Sequence, residues 1–332
     1  MPGPTIRDVA ARAGTSTAVV SYVLNDGPRP VAAATRERVM AAVAELGYRR
    51  NNLGRALRAN RTGTLGLVVP DLAKPFFAEL ARAIEDAAFA HGRRLLIGST
   101  HFDADREHEQ IQALLDARVD AMLVVPAHDP TPAVEVLRAA GIPYSLVHHT
   151  HPTAPGVAGR DFDAGRQATR HLIEHGHQHI AVLGAASGEG PVSHRSRGAL
   201  ATLAERRRPT TGPLVLHCPF SELRDDAYRA TRTLLAEHPS VTALCATTDE
   251  HALGALRAAT EAGRRVGDDL ALVSIDGTEL GAYLAPSLTT LAVPFAALGA
   301  DAVDHVLKPS PAAHIRRHRL SLVLRRSCGC RP

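Results

Sequence analysis

Residues 5–25, TIRDVAARAGTSTAVVSYVLN, restrict the possible fold of this chain more than any other stretch. Apolar residues recur there at helical spacing twice, first as Ile6, Val9 and Ala10 and then as Val19, Val20, Val23 and Leu24. Ala13-Gly14-Thr15 provides a turn between the two runs, and Ser16 can cap the second helix through its side-chain oxygen. A third segment with one apolar face follows at residues 33–46 and ends at Gly47, a typical C-terminal cap. Three helices this short predict a helix-turn-helix module.

The distribution of charge indicates what this module contacts. Residues 1–61, here called the head, hold ten arginines against four acidic residues, a net charge of +6, whereas the whole chain carries only +4. The positive charge is therefore concentrated where a nucleic-acid phosphate backbone would attract it. We expect the head to bind DNA; the alternative is a solvated helical cap on an ordinary domain.

The position of the second helix predicts which residues contact DNA. A recognition helix that begins at Ser16 directs its first turn, and the residue one turn later, into the major groove. Those residues are Thr17, Ala18 and Tyr22, and none of them makes the bidentate base contacts of Arg, Asn or Gln, so direct readout should be modest. Packing against the first helix is the alternative for Tyr22. The polar residues expected to hold phosphates and set the register are Thr5, Ser16, Ser21, Asn25 and Arg29.

Residues 49–62 are too basic and too poor in apolar residues to form a domain, and they are predicted to be a hinge. A helix over residues 52–58, which begins at Asn52, is shorter than the roughly 12–15 residues that an isolated helix needs in water, so it should form only on DNA. Leu57 would then enter the minor groove as an apolar wedge, with Arg55 and Arg58 held in the narrow groove.

The remainder of the chain alternates between short apolar segments and segments of helical periodicity, which predicts parallel α/β sheets. The predicted strands are 65–70, 94–100, 121–127, 144–149, 179–184, 214–219, 243–248, 271–276, 289–293 and 320–328. The predicted helices are about 75–91, 105–117, 164–175, 195–205, 221–237 and 250–262, with a last one from about residue 294.

Length and composition limit the class of protein. A chain of 332 residues suits two or three domains, and it holds neither an apolar run of the roughly 20 residues that span a membrane nor the apolar core of a secretory signal. We therefore expect a cytoplasmic protein without membrane contact. The four cysteines do not form a disulfide framework, and Cys328-Gly-Cys330 lacks the partners of a zinc site in the sequence, so reduced thiols and no metal or cofactor are expected.

The head resembles the LacI/GalR family of bacterial transcription regulators in TIRDVAARAGTS, VVSYVLN, Thr-Arg-Glu-Arg-Val at 35–39 and Leu-Gly-Tyr at 46–48, and the resemblance runs through almost the whole chain. It implies an all-α helix-turn-helix head on an α/β core of the periplasmic-binding-protein type, made of two parallel-sheet subdomains joined by crossings near residues 160 and 290 and near the C-terminus. The implied domains are the helix-turn-helix domain at 1–48, the hinge at 49–62 and an effector-binding and dimerisation core at 63–332. The core would divide into subdomains at 63–160 plus 290–320 and at 161–289 plus 321–332.

The same resemblance implies a function. Family members bind double-stranded operator DNA as homodimers, and a small-molecule effector, often a sugar or a sugar derivative, controls that binding. The chain is accordingly expected to be a repressor in the bacterial cytoplasm, associated with the nucleoid when bound to DNA, and not an enzyme.

Ligands of such sheets sit beyond the carboxyl ends of the strands, which nominates Asp276 and Asp249, with Asp161 close to a crossing. The resemblance adds Arg195, in an Arg-Ser-Arg-Gly run, and pairs it with Asp276 as the main polar contacts to the effector. Aromatic side chains expected at the effector, with packing in the core as the alternative, are Phe76, Phe77 and Phe220.

Two rival hypotheses come from other classes of protein. His171-x-x-Glu174-His175 matches the inverted zinc-protease pattern, but the sequence offers no convincing third ligand, and the segment also fits the family's ordinary helix-loop-strand passage. A solute-binding protein or a sugar-handling enzyme could keep the ligand-binding cleft between two such subdomains without controlling DNA binding. An exported solute-binding protein, however, needs a secretory signal and has no use for the basic head.

Overall fold

The computed structural model describes residues 3–25, 30–48, 61–184, 190–205, 223–309 and 314–330. The chain divides into two compact units, residues 1–62 and residues 63–332. The predictions for Arg29, for most of the hinge, for the strand at 214–219 and for Phe220 fall outside the described residues.

The described part of the first unit consists of α1 (Ile6–Arg12), α2 (Thr17–Asn25) and α3 (Ala33–Leu46), which confirms the helix-turn-helix prediction. Their apolar faces meet in a small core in which Val9, Val20 and Val39 are fully buried. Ser16 caps α2 as predicted, because its Oγ accepts the Val19 N–H at 3.3 Å.

Two sheets form the framework of the second unit. In the described residues the first sheet runs in the order β10-β5-β4-β3-β1-β2, and its paired strands are all parallel. Its strands are β1 (Thr64–Val69), β2 (Arg94–Ser99), β3 (Ala121–Val124), β4 (Tyr144–Val147), β5 (Gly156–Gly159) and β10 (Ile315–His318). The second sheet runs β11-β9-β8-β7-β6 and is parallel except for β11. Its strands are β6 (Ile180–Leu183), β7 (Ala243–Ala246), β8 (Ala271–Asp276), β9 (Thr289–Ala292) and β11 (Ser321–Val323).

Helices connect and cover these strands. Up to residue 174 of the chain they are α4 (Pro75–Ala90), α5 (Ala104–Asp116), α6 (Thr131–Ala140) and α7 (Asp161–Glu174). Later in the chain they are α8 (Pro191–Glu205), α9 (Leu223–Glu237), α10 (Asp249–Glu261), α11 (Leu280–Tyr283) and α12 (Phe295–Leu307). Within the described ranges, no helix combines the length and the apolar character that crossing a membrane requires.

The structure differs from the sequence-based expectation in several elements. The predictions omitted β5, β10, α6 and α11, and they began α7 three and α8 four residues too late. β5 has the sequence GVAG and β10 has IRRH, so neither shows the β-branched or alternating pattern of a strand. β9 pairs with β8 along its whole length and α12 begins at Phe295, so the chain leaves the second sheet close to residue 290.

Helices α7 and α8 cross with their backbones in contact. A Cβ atom at Gly165 would lie 1.9 Å from the carbonyl oxygen of Arg195, and one at Gly198 would lie 2.0 Å from that of Phe162. Only glycine permits so close an approach at these two positions. The contact sets the position of Arg195 against the start of α7, where Asp161 lies.

Candidate functional site

The described head presents the start of α2 to solvent. Ser16, Thr17 and Ala18 are exposed, whereas Ser21 and Tyr22 are half-buried. Tyr22 is not among the apolar core residues of the described head, and both interpretations of its half-buried side chain, contact with DNA and packing against the first helix, stay predictions. The exposed first turn is compatible with major-groove contact, which stays a prediction for these residues.

Thr5 has a second role that the sequence analysis did not assign. Its Oγ1 accepts the Asp8 N–H at 3.4 Å and its backbone N–H donates to the Asp8 carboxylate at 2.7 Å, which forms a capping box at the start of α1. The Thr5 hydroxyl also donates to that carboxylate at 2.7 Å. A phosphate contact by this exposed hydroxyl would compete with that cap. Predictions for the Asn25 side chain, Arg29, Asn52, Arg55, Leu57 and Arg58 lie outside the described residues.

A cavity of about 580 Å³ lies in the second unit at the carboxyl ends of strands from both sheets. This volume includes space that is open to solvent. The lining side chains follow β1, β2, β3 and β4 on one side and β6, β7 and β8 on the other. They are Pro70, Lys74, Phe76, Phe77, Phe102, Pro126, Ala127, His148, His149, Pro191, Val192, Arg195, Thr248, Glu250 and Asp276.

Arg195 is the centre of the polar wall, and its side chain is only 1% exposed. Its Nε donates to Asp161 Oδ1 at 2.8 Å, and its Nη1 donates to Asp276 Oδ1 at 2.7 Å and to the Thr247 carbonyl at 2.8 Å. Burial alone would lower the pKa of Arg195, but the charges of Asp276 and Asp161 raise it above the ordinary value of an arginine. The guanidinium is therefore a permanent cation that joins α7, α8 and β8.

The two carboxylates of this network differ in their protonation. Burial raises the pKa of Asp276 to about 7, and Asp249 raises it too, while Arg195 opposes the shift. Burial would also raise the pKa of Asp161, but the charge and the hydrogen bond of Arg195, together with nearby histidines, outweigh it and lower the pKa below the ordinary value. Asp276 also has a φ of 146°, which side-chain-bearing residues rarely adopt, and such strain is frequent at ligand sites. Asp276 is therefore a carboxyl that exchanges a proton near neutral pH at the surface of the cavity.

The structure places Asp249 in a different environment from the one predicted. Its carboxylate accepts hydrogen bonds from the hydroxyls of Ser274, Thr278 and Thr290 and from the Thr278 N–H, at 2.5–3.1 Å. It is not among the residues that line the cavity. Asp249 therefore joins α10 to β8, β9 and the loop after β8, and Asp161 likewise acts through Arg195 rather than on the cavity itself.

Aromatic side chains form the opposite wall. The ring of Phe76 lies 5.2 Å from that of Phe77, 4.6 Å from that of His148 and 5.3 Å from that of Phe295, and Phe77 lies 5.9 Å from Phe102. Phe76 belongs to the apolar core and lines the cavity at the same time. The packing interpretation of Phe76 is therefore confirmed, and its contact with an effector stays a prediction for a side chain where the core reaches the cavity.

Several lining residues were missed in the sequence. Glu250 accepts two hydrogen bonds from Arg224, at 2.7 and 2.8 Å, and lies 3.7 Å from Lys74 Nζ. His148 and His149 directly follow β4, and Glu250 follows β7 by a few residues, so the strand-end rule that selected Asp276 could also have selected them.

Acid is expected to destabilise the second unit because it holds buried neutral histidines. Burial lowers the pKa of His148 to about 3 and that of His149 and His251 to about 4. Below about pH 6.5 the unfolded chain therefore binds about three protons that the folded chain does not. Asp276 acts in the opposite sense, because the folded chain keeps its proton up to about pH 7 while the unfolded chain loses it above about pH 4. For these four groups the net uptake on unfolding is about two protons, so their contribution should lower the free energy of unfolding by about 3 kcal/mol per pH unit between about pH 6 and 4.5.

Urea unfolding followed by circular dichroism across that pH range measures the slope. His148→Gln should make the slope smaller, because unfolding then takes up about one proton fewer, since glutamine does not titrate. Stability that stays constant or rises on acidification would contradict the protonation states described for these side chains.

Comparisons with known proteins agree with this architecture. A family model described as periplasmic binding proteins and sugar binding domain of LacI family matches residues 62–327, and one described as bacterial regulatory proteins, lacI family, matches residues 5–51. The ribose operon repressor of Halalkalibacterium halodurans is 35% identical over 304 residues, which cover 92% of this chain and 89% of that protein.

Solved structures are also similar. The Lac repressor dimer bound to operator and the anti-inducer ONPF has a TM-score of 0.85 at 28% identity, covering 98% of this chain and 99% of that chain. The transcriptional regulator CelR in complex with cellobiose has a TM-score of 0.72 at 29% identity, with the same coverage. With its helix-turn-helix head and its cavity at the carboxyl ends of two sheets, the chain belongs to the LacI family and is a DNA-binding transcriptional regulator with a small-molecule effector domain, not an enzyme.

Proposed function

We propose that this regulator represses transcription by binding a pseudo-palindromic operator as a homodimer in the bacterial cytoplasm, and that an uncharged polyhydroxylated compound, a sugar or a sugar derivative, controls that binding from the cavity. Each head would take one half-site. The Lac repressor relative, a dimer on operator DNA, supports the assembly, and the relatives named for ribose and complexed with cellobiose support the effector class.

The observation that carries the effector proposal is a pair of buried polar atoms at the cavity. Within the described residues, Arg195 Nη2 and His148 Nδ1 have no hydrogen-bond partner, although both side chains line the cavity. A buried polar atom without a partner costs roughly 1–3 kcal/mol. Ligand hydroxyls can both donate and accept, so they satisfy a guanidinium N–H and either tautomer of an imidazole nitrogen.

The balance of charge favours a ligand without charge. Arg195 already faces two carboxylates, and Lys74 lies beside Glu250, which also binds Arg224. A phosphorylated or carboxylated ligand would have to displace one of these carboxylates from its cation. A neutral polyol does not, and its apolar ring face can lie against Phe76 and Phe77.

Contacts between elements of the two sheets would connect the ligand to the geometry of the second unit. The Glu279 N–H, which precedes α11, donates to Glu79 of α4 at 2.8 Å, and Lys74 approaches Glu250 of α10 at 3.7 Å. These pairs join the elements of the first sheet to those of the second. A ligand that binds better to one relative position of the two sheets shifts the population towards it, and we propose that the hinge transmits this shift to the heads.

The proposal is tested by fluorescence anisotropy of purified protein against the intergenic DNA beside its own gene, at two salt concentrations, with neutral sugars, sugar phosphates and a purine base added separately. We expect tight, salt-sensitive binding that one neutral sugar changes at least about tenfold, the size of a typical allosteric coupling. Response to a phosphorylated sugar or to the purine base alone would refute the proposed effector class.

In the same assay Leu57→Ala tests the hinge. It should weaken operator binding about 100-fold, because the minor-groove wedge is lost, while calorimetry still shows normal affinity for the sugar. Arg61→Ala, which removes one charge at the end of the predicted hinge and leaves the wedge in place, is the control. Equal losses in operator and sugar binding by Leu57→Ala would remove the wedge role.

A further inference from the structure

Two motifs outside the effector cavity, His171-x-x-x-His175 and Cys328-Gly-Cys330, meet at the C-terminal end of α7. Cys330 Sγ lies 3.5 Å from His171 Nε2 and 3.2 Å from His175 Nε2. One ligand atom each of His171, Cys328 and Cys330 lie within 4.8 Å of one another, and the two imidazole rings are 4.4 Å apart. The sequence around the two cysteines offers no further metal ligands. The structure supplies them from the end of α7, more than 150 residues away in the chain.

Backbone geometry explains how the two histidines and the two cysteines come to the same place. His175 is not one of the three residues whose ligand atoms all lie within 4.8 Å of one another, and it reaches the cluster through its 3.2 Å contact with Cys330 Sγ. His171 lies in the last turn of α7 and His175 is its C-cap residue, so the two side chains are one turn apart on the same helical face. On the other side, Gly329 adopts a φ of 78° and donates its N–H to the Arg326 carbonyl at 3.1 Å. This left-handed turn, which favours glycine, reverses the chain between the two thiols.

We propose that His171, His175, Cys328 and Cys330 bind one zinc ion and thereby fasten the C-terminal segment to α7. Two imidazoles and two thiolates are a donor set that zinc prefers, in tetrahedral geometry. With Zn–S near 2.3 Å and Zn–N near 2.05 Å, the S···N edge of such a tetrahedron is about 3.6 Å. The observed separations of Cys330 from the two histidines, 3.2 and 3.5 Å, are close to that edge.

The surroundings are suitable for a structural ion. The Thr289 hydroxyl donates to Cys328 Sγ at 3.2 Å, the kind of outer hydrogen bond that orients a metal ligand. His175 is exposed and Cys330 is half-buried, which leaves an entry path, whereas His171 and Cys328 are buried. Binding of Zn²⁺ converts both thiols to thiolates and releases their two protons to solvent. Four protein ligands leave no position for a water molecule, so the site is structural rather than that of a zinc protease.

Metal titration of the full-length protein, reduced and stripped with a chelator, tests the site. Zinc in competition with a chromophoric chelator should bind at one equivalent per chain, and cobalt should give the visible absorption of a tetrahedral ion together with thiolate charge-transfer bands. Cys330→Ser and His175→Gln change accessible side chains and should weaken zinc binding by more than the 10–100-fold caused by loss of an outer hydrogen bond. Zinc should raise the melting temperature of the second unit in the unchanged protein but not in these variants.

Glu174→Gln is the matched control, because Glu174 is exposed, lies between the two histidines in sequence and contributes no ligand to the proposed site. It should bind zinc like the unchanged protein. The site is refuted if the reduced protein binds no equivalent of zinc, if Cys330→Ser binds as tightly as Glu174→Gln, or if cobalt shows only oxygen coordination. A Cys328–Cys330 disulfide that persists in reductant and zinc would refute it as well.

Discussion

Arg195→Ala is expected to abolish the response to effector and to lower the free energy of unfolding of the second unit by about 3–5 kcal/mol. The change removes the only cation within hydrogen-bond distance of Asp161 in the described residues, and it leaves Asp276 buried without its counter-charge. It also removes Nη2, a buried nitrogen without a hydrogen-bond partner in the described residues, from a side chain that lines the cavity. Operator anisotropy with and without sugar measures the response, and urea unfolding measures the stability.

A milder variant separates loss of binding from loss of folding. Asp276→Asn keeps the shape and an acceptor for Arg195, and burial already raises the pKa of Asp276 to about 7, so its neutral form costs little. The amide nitrogen would, however, face the Asp249 N–H that Asp276 Oδ2 now accepts at 3.2 Å, so we expect a stability loss of about 1–3 kcal/mol, with a clear loss of sugar affinity. A folded Arg195→Ala protein that still responds fully to sugar would place the effector elsewhere.

Gly165→Ala is expected to be as damaging, although the residue does not touch the cavity. The new Cβ would lie 1.9 Å from the Arg195 carbonyl oxygen, and a backbone atom of a packed helix cannot move aside alone. Helices α7 and α8 must separate, at a cost of at least about 3 kcal/mol, the upper part of the range for overpacking. Because Asp161 is on α7 and Arg195 on α8, their 2.8 Å contact should be lost, and calorimetry should show loss of sugar binding.

Gly66→Ala provides the matched control in the same unit. Its Cβ would meet Met122 Sδ at 2.8 Å and the tips of two other side chains, and a flexible methionine can move. We expect a loss of about 1 kcal/mol in the free energy of unfolding and normal sugar affinity. If both glycine variants behaved alike, the backbone contact of α7 with α8 would not be what positions Arg195.

Helix α7 connects the two sites of the second unit. Asp161 at its first residue holds Arg195, while His171 and His175 at its other end lie against the C-terminal cysteines. A zinc ion there would restrain the helix whose first residue orients the central cation of the effector cavity.

The head and most of the framework could be predicted because their signals are local. The cap at Ser16, the apolar spacing in α1 to α3 and the Gly47 terminus each depend on residues within a few positions of one another. The apolar strands between helices in the second unit are signals of the same kind. β5 and β10 were not predicted, because a short strand of small or polar residues is stabilised by pairing with its neighbouring strands rather than by its own β-propensity.

The candidate site was only partly predictable. The strand-end rule and the family resemblance selected Arg195, Asp276, Phe76 and Phe77, and all four line one cavity. They could not separate Asp249, whose oxygens are occupied by neighbouring donors, from Glu250, which lines the cavity. These residues are adjacent in one helical turn, so their side chains point in different directions. Only the packing of the helix against the strands decides which of the two side chains points towards the cavity.

From its sequence alone this chain was determined to be a basic three-helix head on an α/β body, because helix spacing, capping and charge act over short stretches. Tertiary structure alone decided that Arg195 lies between two carboxylates, that one of its guanidinium nitrogens is buried without a hydrogen-bond partner in the described residues, and that Cys330 meets His171. These contacts join segments 34 to 159 positions apart. Their chemistry depends on burial and on distances of a few ångströms, which chain folding sets and which no local pattern encodes.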